Sequence, residues 1–335
     1  MNETDRQHSF SAFSETELRE LFESTDYVAE DDIVTTVLLA LRLDKPLLIE
    51  GEPGSGKTEL GKVLATGFDT ELIRLQCYEG LTAENTLYEW NYTKQLLSIQ
   101  AGEQGVAEEL ESTSDVETID VHEDGSEDTD ENGDEPSTVF SEEYLLERPL
   151  LRAVSAEHPP PPVLLIDEID RADEEFEALL LEVLSDMQVT IPELGTVRAT
   201  VPPIVIITSN RTRGLSDALK RRCLYLHVEP PSYEKERAIV RQKVPELDGA
   251  VATEVCAMTQ RLREEPFLKQ PGVAETLDWA RAVAELRQDG DGPLSLSTVE
   301  NTLGCLLKEV EDIQRVDDSL LSALLESASD ARAEG

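Results

Sequence analysis

Two short stretches hold most of the residues able to do chemistry. The first, Gly51 to Thr58, reads GEPGSGKT and fits the pattern G-x-x-x-x-G-K-[ST]. Glycines at this spacing let consecutive backbone N–H groups turn toward phosphate oxygens, and a helix start behind them adds a favourable dipole. Lys57 is expected to meet the β- and γ-phosphates of ATP, and Thr58 to ligate Mg²⁺. The nucleotide-binding set is therefore Gly51, Glu52, Pro53, Gly54, Ser55, Gly56, Lys57, Thr58 and Glu59. The second stretch, residues 163–170, reads VLLIDEID and ends an apolar run in adjacent carboxylates. Burying charge is costly unless something pairs with it. A magnesium ion shared with Thr58 would make Asp167 tolerable, and Glu168 would then polarise the attacking water as general base.

Two further groups belong to the same chemistry. Asn210 ends the run IVIITSN and is placed to touch the γ-phosphate or the water; a turn or helix-capping role is the plain alternative. Arg221 and Arg222 close a helical stretch just before an apolar run. They either cap that helix or act as arginine fingers inserted into a neighbouring subunit's site, with Arg222 the stronger candidate. No Asn-Lys-x-Asp guanine-recognition motif is present, which favours ATP over GTP.

These residues need a scaffold that brings strand ends together. PLLIE (46–50) reads as a short buried strand, and Leu60, Val63 and Leu64 mark a helix behind the glycine loop. Further strands are expected at Leu72–Cys77, Val163–Asp167, Ile204–Thr208 and Leu224–Val228. Helices between them point to a parallel α/β sheet. Upstream, Ser14 with Glu17 forms a capping box that opens a helix to about Ser24. A second helix, about Asp31–Leu43, carries Ile33, Val34, Val37, Leu38 and Leu41 on one face. Residues 189–203 read as a β-hairpin turning near Glu193–Gly195. From 232 to 331 only amphipathic helix patterns remain, and a stripe of Leu303, Leu306, Leu307 and Val310 is expected to be core. The division is a helical extension (1–24), an α/β core (25–229) and an all-α lid (230–335).

The chain has 335 residues, 39% of them hydrophobic, enough for a real core. Its formal charge is −42. Residues 95–147 hold 18 acids and no Lys or Arg, which leaves −24 on the rest of the chain. Such a surface disfavours nucleic acid, which needs clustered Lys and Arg, and suits a halophilic source, where salt screens self-repulsion. Residues 101–140, with little apolar content, are expected to be a disordered acidic insertion. Its length also explains why Lys57 and Asp167 lie 110 residues apart. The start MNETDRQHSF has neither a basic n-region nor an apolar h-region, and no run reaches the roughly 20 apolar residues of a membrane span. With Cys77, Cys223, Cys256 and Cys305 too scattered for a zinc site or a disulfide framework, a cytoplasmic protein with reduced thiols is expected.

The segments GEPGSGKTEL, LLIDEIDRADEEFEALLLEVLSDMQVTIPELG, TSNRTRGLSDALKRRCLYL and PGVAETLDWARA, in this order, resemble AAA+ ATPases of the MoxR group over roughly residues 25–290. Within that group they are most similar to the accessory ATPases of molybdenum–copper carbon monoxide dehydrogenase and related hydroxylases. The resemblance implies a P-loop AAA+ core with a helical lid, hexameric rings, and a von Willebrand factor A-type partner in cofactor insertion or complex maturation. A nucleotide-binding scaffold with little turnover, or a ring ATPase for another assembly such as gas vesicles, is the alternative. The sequence departs from the group in two places. The acidic insertion is one. The other is PGVAET, where relatives carry a lid arginine that contacts the γ-phosphate; Thr276 stands near that position and Arg281 lies further along.

Overall fold

The computed structural model describes residues 10, 13–97, 142–192, 194–287 and 292–334. Five parallel strands form the main sheet: β1 (Leu47–Gly51), β2 (Leu72–Gln76), β5 (Val163–Asp167), β8 (Ile204–Ser209) and β9 (Leu224–Val228), in the order β2-β5-β8-β1-β9. The period-two alternation of strand side chains divides the sheet between two cores. Leu47, Ile49, Val163, Leu165 and Ile206 face the helices Glu15–Ser24, Asp31–Arg42 and Lys57–Gly67. Leu48, Leu164, Ile166, Val205 and Ile207 face the opposite side, where Glu174–Asp186 packs. Near-continuous apolar strands are what a parallel sheet covered on both faces requires.

Strand boundaries move by a residue from the expected ones. β1 runs to Gly51 rather than ending at Glu50, β2 stops at Gln76, and β8 extends to Ser209. The early helices agree more closely. Ser14 and Glu17 form the capping box, and all five residues of the expected stripe on Asp31–Arg42 are buried. The hairpin is present as β6 (Gln188–Ile191) against β7 (Gly195–Arg198), with Gly195 supplying the positive φ of the turn at 91°. A second antiparallel pair was not foreseen: β3 (Tyr88–Trp90) against β4 (Leu145–Glu147). The expected disordered insertion, 101–140, lies outside the described residues.

Beyond β9 the described chain is helical: Tyr233–Lys243, Gly249–Arg263, Val273–Leu286, Leu296–Leu306, Val310–Gln314 and Asp318–Glu334. These helices enclose their own core around Val251, Val255, Trp279, Val299 and Leu324. Leu303, Leu306 and Leu307 join it as expected, but Val310 does not; it begins a new short helix and is 64% exposed. Inside this region Glu236 is fully buried and held by Arg263 through both guanidinium Nη atoms, at 2.7 and 2.8 Å, and by the Thr276 hydroxyl at 2.7 Å. A buried carboxylate is stable only with such a full set of partners.

Candidate functional site

The glycine loop links β1 to the helix Lys57–Gly67. Gly54 (φ 81°) and Gly56 (φ 88°) take the left-handed conformation that residues with a Cβ rarely adopt. A Cβ on Gly56 would meet nothing within 4 Å, so the space beside the loop is open there. The Ser55 hydroxyl oxygen is buried without a hydrogen-bond partner. The Lys57 ammonium donates to the carbonyls of Gly51 (2.9 Å) and Glu52 (2.6 Å). Burial holds its pKa below the ordinary lysine value, against the pull of Asp170, Asp167 and Glu168.

The carboxylates sit where β5 ends, between β2 and β8. Asp167 is buried, and its Oδ1 accepts from the Thr58 hydroxyl (3.0 Å) and the Thr208 hydroxyl (2.5 Å). Arg74 on β2 forms an ion pair with Oδ2. Glu168 follows at φ 56°, a left-handed backbone for a residue with a side chain, which costs on the order of 1 kcal/mol and needs support. The support is its own N–H, which donates to the Thr208 hydroxyl at 3.0 Å. The turn aims the Glu168 carboxylate at Asn210 Nδ2 (3.2 Å), Gln76 Nε2 (3.1 Å) and Arg171 Nε (2.9 Å).

Asp170 anchors the strand-end loop beyond β8. It accepts from the backbone N–H groups of Asn210 (3.0 Å) and Thr212 (2.9 Å) and from the Thr212 hydroxyl (2.6 Å). Burial pushes its pKa up, but the bonds from Thr212 and Asn210 outweigh that, and the net shift is downward. Asn210 is thereby fixed at its backbone by one acid and at its side chain by another.

A cavity of about 510 Å³ opens over this constellation. Pro53 to Glu59, Asp167, Glu168 and Asn210 line its floor; Tyr27 and Val28 line it from the N-terminal segment, and Ile239, Leu277 and Arg281 from the helical region. The helical region meets the loop directly. Val273 N–H donates to Gly54 O at 3.3 Å, and a Cβ on Gly272 would lie 3.0 Å from Gly54 Cα.

The sequence-derived set thus converges except at two places. Arg221 and Arg222 do not line the cavity; Arg222 donates to the Ser185 hydroxyl at 3.0 Å on the surface. Thr276 is buried against Glu236, away from the cleft, whereas Arg281 lines it. Sequence reasoning also passed over Arg74, Gln76, Thr208 and Thr212. Arg74 and Gln76 carry a signal: in LIRLQ they are the polar positions of an alternating strand, which places both side chains on one face. Thr208 and Thr212 carry none, because a threonine at a strand end is common in any loop.

The donor set fits magnesium nucleotide. Among the described residues no group of three or more His, Cys, Asp or Glu could hold a metal ion. Magnesium asks for less, commonly one or two carboxylates with phosphate oxygens completing the shell. Thr58 and Asp167, in contact beside a glycine loop with an unpartnered buried hydroxyl, supply the protein's share.

Comparison with known proteins gives a family match. The family described as AAA domain (dynein-related subfamily) matches residues 46–223. Two uncharacterized staphylococcal proteins are similar over 78% of this chain. One, from Staphylococcus haemolyticus, is 25% identical and covered over 84% of its length; the other, from Staphylococcus saprophyticus, is 23% identical and covered over 85%. Among solved structures, a Thermotoga maritima RuvB Holliday junction branch migration motor is 15% identical, with a TM-score of 0.41 over 92% of this chain and 68% of that one.

Proposed function

The chain belongs to the AAA domain family, dynein-related subfamily, and from that premise we propose that it is a magnesium-dependent ATPase whose hydrolysis cycle remodels a protein assembly. The observation that carries this reading is the placement of Glu168. Binding alone needs no second acid beside Asp167, yet Glu168 is turned into the cleft through a left-handed backbone and held by Asn210 and Gln76.

Each residue then has a task. Backbone N–H groups of the Gly54–Gly56 turn receive phosphate oxygens, and Lys57 exchanges its two carbonyl partners for the β- and γ-phosphates. Thr58 and Asp167 would hold magnesium, which when bound would neutralise charge on the phosphates. Glu168 accepts the proton of the attacking water, and Asn210 orients its carboxylate. Tyr27, Val28 and Ile239 offer apolar surface for the base.

The finer parts of the reading rest on the sequence resemblance to the MoxR group. They are a homo-oligomeric, hexameric ring, a von Willebrand factor A-type partner, and a client complex undergoing assembly or cofactor maturation. The surface position of Arg222 supports a finger that acts on a neighbouring subunit, because it does not line the phosphate-loop cavity of its own chain. The lid is taken as residues 230–335. No described helix is long and apolar enough to cross a membrane.

The test separates binding from turnover. Lys57→Ala abolishes nucleotide binding by calorimetry. Glu168→Gln binds Mg·ATP but releases no phosphate, because the base is lost while Asp167 stays. Normal turnover by Glu168→Gln would remove it from the role assigned here.

A further inference from the structure

We propose that Arg74 is a displaceable counter-ion for Asp167, paired with carboxylate oxygen Oδ2 until magnesium supplies the neutralising charge. The proposal rests on the magnesium–ATP reading of the cleft and names the group that must leave for that reading to operate.

The argument starts from the edge of the sheet. β2 pairs with β5 in a register that sets Arg74 beside Leu165 and Gln76 beside Asp167. Ile73 and Leu75 point into one core, so Arg74 and Gln76 share the other face, the one on which Asp167 meets the Thr58 hydroxyl. Asp167 is nearly inaccessible, and a buried carboxylate with no cationic partner costs several kcal/mol. Its Oδ1 is filled by the hydroxyls of Thr58 and Thr208. Its Oδ2 holds the guanidinium of Arg74 at 2.5 Å, the ion pair found for Asp167 among the described residues. Lys57, whose charge lies nearby, is turned toward the Gly51 and Glu52 carbonyls instead.

Two features distinguish this pair from a permanent structural one. The Arg74 side chain is 49% exposed while that of Asp167 is 4% exposed, so the cation swings into water at little cost and the anion stays. Magnesium held between Thr58 and Asp167 would stand on the Oδ1 side of the same small carboxylate, and its double charge repels the guanidinium on Oδ2. Arg74 and magnesium are therefore alternatives at one carboxylate. The same Nη2 that contacts Asp167 donates to Gln76 Oε1 at 2.8 Å, so the departing arginine has a polar neighbour on its own strand.

The experiment uses the full chain as wild type, Arg74→Ala and Arg74→Lys. Magnesium is titrated into ADP-saturated protein by calorimetry, with manganese and its EPR signal as a second probe. Arg74→Ala is expected to bind the metal about three- to tenfold more tightly, since its competitor is a charge-assisted bond weakened by exposure. Arg74→Lys stays near wild type. Melting in EDTA falls by a few degrees for Arg74→Ala, and that deficit disappears in saturating Mg·ADP. If Arg74→Ala does not fold, Arg74→Gln removes the charge with a longer polar side chain and gives the same readouts. Unchanged or weaker metal binding in the charge-removing variants, or an equal loss of melting temperature in both buffers, overturns the proposal. A wild type that gains nothing from Mg·ADP overturns the ATPase reading itself, and this inference with it.

Discussion

Adding one methyl group at Gly272 should pry the helical region from the phosphate loop. Gly272 has φ −88° and ψ −177°, extended geometry that alanine adopts freely, so the effect is one of space rather than backbone strain. The new Cβ would stand 3.0 Å from Gly54 Cα and 3.3 Å from Gly54 O. Carbon atoms prefer about 3.5–4.0 Å, so one side must retreat by about 0.5–1 Å. Glu275 Oε2, at 3.1 Å, is a side-chain atom that can swing aside, but the two Gly54 atoms are backbone and no side-chain rotation relieves them. The 3.3 Å bond from Val273 N–H to Gly54 O already lies near the useful limit and breaks with that retreat. Overpacking of this kind costs about 1–3 kcal/mol. The cost falls on the arrangement in which the helical region touches the loop, because moving that region away escapes the clash. Affinity for Mg·ADP should therefore drop about 5- to 150-fold. Calorimetry measures it, with Gly304→Ala as control: Gly304 sits in the last turn of its helix with nothing within 4 Å of its added Cβ, and should gain a little stability without altering affinity. Affinity of Gly272→Ala within twofold of wild type would refute the contact's importance.

Other expectations follow from single contacts. Arg222→Ala should retain ATP binding and lose hydrolysis, and mixing it with Lys57→Ala subunits should restore part of the activity; steady-state phosphate release checks this, and no restoration in mixed rings counts against a finger in trans. Thr212→Val should make the protein more acid-sensitive. Asp170 has its pKa lowered from 3.8 in the folded chain, so its stabilisation is complete above the unfolded value and is lost as pH falls through the folded one. Removing the Thr212 hydroxyl raises the folded value and shifts that loss upward, visible as an earlier acid-unfolding midpoint by circular dichroism. Among the thiols, burial pushes Cys77, Cys223 and Cys256 up to about 12, while Cys305 is only partly covered. A colourless disulfide reagent releasing a chromophore at pH 8 should report one fast thiol in the native protein and four after denaturation.

What the sequence made legible were features with a local cause. The glycine pattern, the apolar run ending in Asp167 and the capping box at Ser14 each follow from short-range chemistry, and each lies where it was expected to within a residue. Partners supplied by neighbouring strands were not legible. Thr208 reaches Asp167 only because β8 lies beside β5, and Arg74 only because β2 lies on the other side. β3 and β4 are three residues each, too short for periodicity to register. Val310 was assigned to a stripe by spacing alone, and the break after Leu306 took it out of phase.

The strand order also governs when the site can come into being during synthesis. β1 carries the phosphate loop, yet its sheet neighbours are β8 and β9, with Leu47 opposite Ile206 and Leu224. No earlier strand pairs with it. A ribosome adding about 5–20 residues per second makes β8 roughly 8–31 s after β1, and β9 shortly afterwards. Throughout that interval the Leu47–Gly51 strand has no native edge to join, and its apolar side chains depend on the neighbouring helices for cover. Such long-range pairing also makes folding slow. Nucleotide affinity is thus a property of the nearly finished chain, and a truncated product ending before β8 would carry the whole glycine motif without the sheet that shapes it.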